Sequence, residues 1–215
     1  MNRPARLITV ALSASLTLSL AACDGSTDSK EGASDEIAGA DTGREKPPPE
    51  ASIGTGRPEI RLPADVTLSF SPERVGDPVK DDVLRDNADM IRALSMAISA
   101  GDPHLPALEF YTEGEGAVAS GDWVKSFKDA GWTVTGAVRY FDRNVKIKSK
   151  EAAAIGYCAD ESRGFSKSIS SGEIKRTKVT KDSYVAYSAQ VRKNEHGVWE
   201  LMKMTSARGA KGCRP

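Results

Sequence analysis

Residues 131–158, GWTVTGAVRYFDRNVKIKSKEAAAIGYC, decide the fold class because their apolar side chains recur at every second position. A period of two is typical of half-buried antiparallel strands, whose alternate side chains face a core and the solvent. We predict strands over Trp132–Tyr140, Val145–Lys150 and Ala153–Cys158. Asp142-Arg143-Asn144 is predicted to form the turn between the first two of them.

The alternation returns further along the chain. Apolar and polar side chains alternate over Tyr184–Arg192, and a last strand is predicted from about Val198 to Thr205. Ser171-Gly172 and Asn194–Gly197 are typical turn sequences. The chain after Gly131 is therefore predicted to be a meander of four to six antiparallel strands.

The residues before this meander follow a helical period instead. Asp77 suits an N-cap and is followed by a proline at the first helical position, and Gly101 suits the C-terminal cap. Apolar side chains between these caps recur at helical spacing. We therefore predict a long helix over Pro78–Ala100.

Two shorter helices are predicted between this helix and the strands. Asp102-Pro103 repeats the cap-and-proline signal and opens the first, which runs to Tyr111. The second carries Trp123 and Phe127 on one face and stops at Gly131. Three helices followed by strands predict an α+β domain whose helices pack on one face of a curved antiparallel sheet.

The N-terminal 22 residues have the parts of a secretory signal peptide. Arg3 and Arg6 precede an apolar stretch over residues 7–20, which is shorter than the roughly 20 residues that span a bilayer as a helix. Leu20-Ala21-Ala22-Cys23 then resembles the bacterial lipobox. The lipobox cysteine receives a diacylglyceryl group, and the signal peptide is then cleaved immediately before this cysteine. Lipidation of Cys23 predicts anchoring on the extracytoplasmic face of the cell membrane. An ordinary cleavage site followed by an unrelated cysteine is the alternative.

Residues 23–60 are predicted to be a disordered tether. They are built mainly from Gly, Ser, Asp, Glu, Ala and Pro, and such a composition cannot bury enough apolar surface to offset the entropy of ordering. The triplet Pro47-Pro48-Pro49 stiffens the tether locally. It either carries the domain through part of a cell wall or is a passive spacer. Residues 61–215 form the folded domain.

The three cysteines divide into one anchor and one pair. With Cys23 lipidated, Cys158 and Cys213 remain as an even pair outside the cytoplasm, where disulfides persist. A zinc or redox pair needs closer spacing or further His and Cys ligands. A structural disulfide is therefore predicted between them.

Residues of the kinds used in catalysis and metal binding are sparse. Gly114–Ala119 superficially follows a dinucleotide-binding pattern but lacks the preceding strand, so it is predicted to be a flexible turn between helices. His104 and His196 have no neighbouring ligands at metal-binding spacing and no partner for nucleophilic catalysis. We predict no catalytic residue, metal or cofactor.

The aromatic residues of the strands are the candidates for binding. Trp132, Tyr140, Tyr157 and Tyr187 fall on the apolar phase of their strands. An apolar pocket with a few phenol oxygens suits a small hydrophobic ligand. Packing of the same side chains in the core is the alternative.

Charge is balanced overall but distributed unevenly. The chain has 30 basic and 30 acidic residues, which argues against a general nucleic-acid binder. Residues 1–120 carry a net charge of −9 and residues 121–215 one of +9. The basic side chains either meet anionic wall polymers or lipid headgroups, or balance the acidic first helix and keep the sheet edges soluble. They are Lys146, Lys148, Lys150, Lys175, Arg176 and Lys178.

One long helix, two short ones and a curved sheet resemble the NTF2-like cone fold over residues 66–213. The chain is also similar to secreted, lipidated proteins of high-GC Gram-positive bacteria, in which such a domain follows a lipobox and a linker. The similarity lies in Trp123–Tyr140, Tyr157-Cys158 and Val198–Cys213. A cystatin-like domain is the alternative fold.

This resemblance implies a membrane-anchored, non-catalytic binding or interaction module of the cell envelope. Its expected partners are the membrane, through the lipid, and a cell-wall polymer or envelope protein. A homodimer that forms through the exposed sheet is a further alternative, although the lysine-rich strands disfavour it. The alternatives are a small pocket enzyme of the isomerase or cyclase type and a structural envelope protein without a ligand.

Overall fold

The computed structural model describes residues 56–215. The predicted signal peptide, Cys23 and all of the tether up to residue 55 lie outside the described residues, so these remain predictions. Within residues 56–215, no helix has both the length and the apolar character needed to cross a membrane.

Residues 56–215 form one six-stranded sheet and three α-helices, which confirms the α+β class. The sheet order is β1-β2-β3-β5-β6, with the short β4 paired to β3, and every pairing except the parallel β1–β2 pair is antiparallel. The elements in chain order are β1 (Val66–Phe70), α1 (Pro78–Ala100), α2 (Pro106–Glu109), α3 (Gly114–Asp129), β2 (Trp132–Ile147), β3 (Ala152–Ser168), β4 (Ile174–Lys175), β5 (Tyr184–Lys193) and β6 (Trp199–Arg208).

Helix α1 covers the predicted residues and has the predicted caps. The Asp77 carboxylate accepts hydrogen bonds from the backbone N–H groups of Val79 and Lys80, and Gly101 adopts the left-handed conformation at the other end. One face of α1 is buried against the sheet, so the helix forms the main wall opposite the strands. Its fully buried apolar side chains include Val83, Leu84, Met90 and Ala93.

The first element of the domain is a strand, which corrects the prediction that the helices come first. β1 runs parallel to β2 with Val66 opposite Gly136 and Phe70 opposite Tyr140. The strand is only five residues long, and its partner lies some 70 residues further along the chain. A pairing of that kind leaves little local signal in the sequence, which is why β1 was not predicted. The three helices lie between β1 and β2 in the chain.

The predicted turn at Asp142-Arg143-Asn144 is wrong. β2 continues through it, with a shift of register between Phe141 and Asn144, and Asp142 has a positive φ of 52°. Asp and Asn tolerate this backbone region in turns and in bulges alike, so the same residues fit either structure. The bulge directs Arg143 into the interior, where only 4% of it is exposed.

The predicted flexible turn over Gly114–Ala119 is also wrong, because these residues form the start of α3. Gly116 allows the start of α3 to pack against β6. A Cβ at this position would collide with the backbone carbonyl oxygen of Leu201, so the glycine lets α3 approach β6 closely. The second helix is shorter than predicted and ends at Glu109.

The predicted disulfide between Cys158 and Cys213 is confirmed, with a Cα–Cα distance of 5.4 Å. Side chains alternate along a strand, so Cys158 lies on the face of β3 opposite to that of Tyr157. The bond therefore holds the C-terminal turn on the convex side of the sheet.

The last residues of the predicted tether pack on the domain. Arg57 lies 2.6 Å from a carboxylate oxygen of Asp86, and Ile60 packs against the hydrophobic core. The predicted boundary after residue 60 thus falls within chain that contacts the domain.

Candidate ligand-binding cavity

A cavity of about 580 Å³ lies between α1, α3 and the concave face of the sheet. Its volume is within the range of small-molecule sites, roughly 300–1,000 Å³. The walls are mainly apolar on both sides, so a ligand there would be shielded largely by hydrocarbon. The apolar wall includes Ile91, Leu94, Phe127, Val134, Val138 and Leu201.

Two paired glycines and a bulge shape the sheet around this space. Gly136 on β2 lies opposite Gly164 on β3, and the register shifts between Ala137 and Arg139. A bulge bends its strand and increases the local twist. Gly136 has a φ of 91°, and a Cβ there would collide with the carbonyl oxygen of Arg163. The bend therefore depends on a residue without a side chain at this point.

Three of the four predicted pocket residues line the cavity. Tyr140, Tyr157 and Tyr187 lie on the neighbouring strands β2, β3 and β5. The ring centroids are 6.0 Å apart for Tyr140 and Tyr157 and 5.2 Å apart for Tyr157 and Tyr187. Trp132 is not among the lining residues, because its ring lies at the strand end with the Lys175 ammonium 5.8 Å from its centroid.

The tyrosine hydroxyls differ in their hydrogen bonds. Tyr187 donates to a carboxylate oxygen of Glu161 at 3.1 Å, and Tyr157 donates weakly to the Met204 sulfur at 3.5 Å. Within residues 56–215, the Tyr140 hydroxyl has no hydrogen-bond partner. Burial raises the pKa of all three phenols, so they are neutral donors near pH 7.

Glu161 places a carboxylate in the cavity wall, but its two oxygens are engaged. One accepts from Tyr187, and the other lies 2.7 Å from a guanidinium nitrogen of Arg208. Arg208 also donates to the backbone carbonyl oxygen of Asp182 at 2.8 Å. Our sequence analysis did not identify Glu161. The sequence feature that could have indicated it is that Glu161, four residues after Tyr157, is a charged residue on the apolar phase of β3.

The cavity opens at one end of the sheet. The start of β2 pairs with the end of β3, and the short β4 pairs with the same end of β3. Trp123 on α3 lines the cavity there with 53% of its surface exposed. Lys175 and Thr177, in and just after β4, also line it. We call this end the mouth.

A buried polar cluster closes the other end of the domain. Asp86 is fully buried and accepts from the Trp199 backbone N–H at 2.9 Å while pairing with Arg57 and Arg85. Nearby, the Arg143 guanidinium donates to the carbonyl oxygens of Pro72 and Leu84 and to the Asn87 side chain. Burial lowers the pKa of Arg143 to about 10. These groups join α1, β2, β6 and the segments on either side of β1, and the sequence analysis assigned none of them to a buried cluster.

The two histidines lie outside the cavity. A ring nitrogen of His104 is 3.3 Å from Glu109, and one of His196 is 3.7 Å from Glu195; all four side chains are more than half exposed. Among residues 56–215, no group of three or more His, Cys, Asp or Glu is arranged to hold a metal ion.

No protein-family model and no curated protein sequence matches this chain. Among solved structures, it is similar to a ketosteroid isomerase-like protein from Erwinia carotovora atroseptica SCRI1043, with 13% identity and a TM-score of 0.43, over 62% of this chain and 98% of that one. It is also similar to the intermembrane space region of the chloroplast protein ARC6, with 9% identity and a TM-score of 0.39, over 58% and 95%. Both TM-scores are below 0.5, and neither similarity says what this chain binds.

Proposed function

We propose that this chain is a lipoprotein on the extracytoplasmic face of the cell membrane whose NTF2-like domain binds a small, mainly apolar molecule. The lipobox at Cys23 supports the anchor. The packing of α1 and α3 on one face of a bent sheet supports the cone fold. The binding role is carried by one observation, the apolar cavity of about 580 Å³ whose wall includes the Tyr140 hydroxyl, which has no hydrogen-bond partner within residues 56–215.

The state of the ionisable groups favours binding over catalysis. Both carboxylate oxygens of Glu161 already have protein partners, the Tyr187 hydroxyl and the Arg208 guanidinium. The raised pKa values of the tyrosines keep them as donors of hydrogen bonds. His104 and His196 are on the surface, away from the cavity. The tyrosine hydroxyls of the cavity can orient a polar atom of a ligand. An acid–base pair for a reaction would have to come from other groups.

Titration with N-phenyl-1-naphthylamine, a neutral fluorophore that brightens in apolar surroundings, tests the binding role. We expect the mature chain to bind it saturably. Ser95→Phe, which places a ring in the cavity from α1, should weaken binding by about tenfold or more, which corresponds to about 1.4 kcal/mol. Ala100→Phe adds the same ring at an exposed position of the same helix and should leave binding unchanged. Absence of saturable binding, or equal binding by Ser95→Phe, would contradict the proposal.

The anchor is tested separately in the host. Cells fed an alkyne-labelled fatty acid should incorporate the label into the wild-type chain, which should sediment with membranes. Cys23→Ser should lose both the label and the membrane association. A wild-type chain without label would refute the lipoprotein assignment and leave the cavity untouched.

A further inference from the structure

The mouth of the cavity carries cations without partners. Two ion pairs near this end are Asp65–Lys167 and Glu161–Arg208. Three further basic residues, Lys175, Arg176 and Lys178, take part in neither and have no carboxylate within ion-pair distance among residues 56–215. We call these three residues the basic rim.

Two residues of the basic rim, Lys175 and Arg176, are in contact with the cavity or with its lining. Lys175 lines the cavity, and its ammonium lies 5.8 Å from the centroid of the Trp132 ring. The Arg176 guanidinium lies 5.3 Å from the centroid of Phe165, which also lines the cavity. Any molecule that passes through the mouth therefore meets positive charge before it reaches the apolar wall.

Exposed apolar side chains surround the basic rim. Trp123 on α3 is 53% exposed, and Ile169 and Val179, on either side of β4, are 56% and 58% exposed. Large apolar side chains next to Lys and Arg are the combination that favours contact with an anionic lipid interface. The mouth thus offers separate surfaces for an apolar chain and for an anionic group.

We infer that the ligand of the cavity is an anionic amphiphile, of the chemical class of fatty acids and acyl phosphates. Its acyl chain lies in the cavity and its anionic group lies at the basic rim. This inference rests on the proposed function and adds the charge of the ligand to it. Glu161 and Arg208 neutralise each other, and the three cations of the basic rim outnumber the one carboxylate directly before β4, that of Glu173, so positive charge is in excess at the mouth.

Three probes with one chain length test this inference by displacement of N-phenyl-1-naphthylamine from the mature chain: dodecanoate, dodecan-1-ol and dodecylammonium. We expect dodecanoate to displace the fluorophore at a concentration about tenfold lower than dodecan-1-ol. Dodecylammonium should be the weakest. The preference for dodecanoate should shrink as sodium chloride is raised, because exposed charges are screened by salt.

A matched pair of triple variants locates the effect. The variant K175Q/R176Q/K178Q should lose the preference and bind dodecanoate no better than dodecan-1-ol. The control K146Q/K148Q/K150Q removes three exposed lysines at the far end of β2 and just beyond it and should keep the preference.

The possible failures are distinguishable. Equal displacement by dodecanoate and dodecan-1-ol in the wild type would overturn the anionic class and leave the proposed function standing. An equal loss of preference in both triple variants would overturn the assignment to the basic rim. Failure of all three probes, together with absence of fluorophore binding, would overturn the proposed function itself.

Discussion

The two ends of the domain carry their charged side chains in opposite ways. At the closed end, Asp86 is fully buried between two arginines and a backbone N–H, and Arg143 is buried against two carbonyl oxygens. At the mouth, Lys175 and Arg176 are exposed and face aromatic rings. Both ends are rich in charge, but only one of them holds it inside the protein.

This difference separates structural charge from charge that is free to meet a partner. A buried charge is tolerated only when protein groups compensate it, so the closed-end groups hold the elements together. An exposed cation keeps its hydration and contributes little to folding. We therefore expect substitutions at the closed end to change stability and substitutions at the mouth to change binding.

The largest effect is expected at Asp86. Asp86→Ala leaves Arg57 and the Trp199 N–H without their acceptor, and removal of one member of a buried ion pair costs about 3–5 kcal/mol. Urea unfolding followed by circular dichroism measures this loss. Asp82→Ala on the same helix breaks a half-exposed pair with Arg85 and should cost at most about 1 kcal/mol. Equal losses in the two variants would contradict the structural role of the closed end.

An intermediate effect is expected where α3 meets β6. Gly116→Ala forces a Cβ against the Leu201 carbonyl and should destabilise the domain by about 1–3 kcal/mol. Gly121→Ala on the same helix makes only an ordinary contact, 3.7 Å from the Pro103 oxygen, and should stabilise it by up to about 1 kcal/mol. Changes of opposite sign in urea unfolding support the close approach of α3 to the sheet, and stabilisation by both variants would count against it.

The smallest effect is expected at Asp65, near the mouth. Hydrogen bonds from Lys167 and Thr135 hold the pKa of Asp65 below its usual value. The stabilisation is therefore present above the unfolded-state pKa of about 3.9 and is lost as the pH falls through the lower folded value. Asp65→Asn should cost at most about 1 kcal/mol at pH 7. Its difference from wild type should shrink as the pH falls below the unfolded-state pKa, and a difference that grows on acidification would be inconsistent with this ion pair.

The sequence predicted the elements whose signals are local. Helix α1 has a capping aspartate, a proline and a terminal glycine next to its own ends, and its bounds were correct. β1 and the bulge around Arg143 depend on partners some 60 to 75 residues away, so no local pattern could distinguish them. Gly114–Ala119 misled because glycine usually interrupts helices, whereas Gly116 is required here by tertiary contact with Leu201.

The candidate site was predictable in part for the same reason. Tyr140, Tyr157 and Tyr187 follow the alternation of their strands, which decides the face but not whether that face surrounds a cavity. Trp132 has the same phase but is the first residue of β2 and lies beyond the lining residues. The ion pair of Glu161 joins it to Arg208, 47 residues later, so no local pattern could have indicated it.

Native mass spectrometry of the mature chain purified from its own host tests most directly whether the cavity is a binding site. We predict that the wild type and Ala100→Phe retain the mass of a small molecule and that Ser95→Phe is recovered without it. A wild-type chain recovered at its bare mass, or an added mass that Ser95→Phe retains in full, would contradict the account.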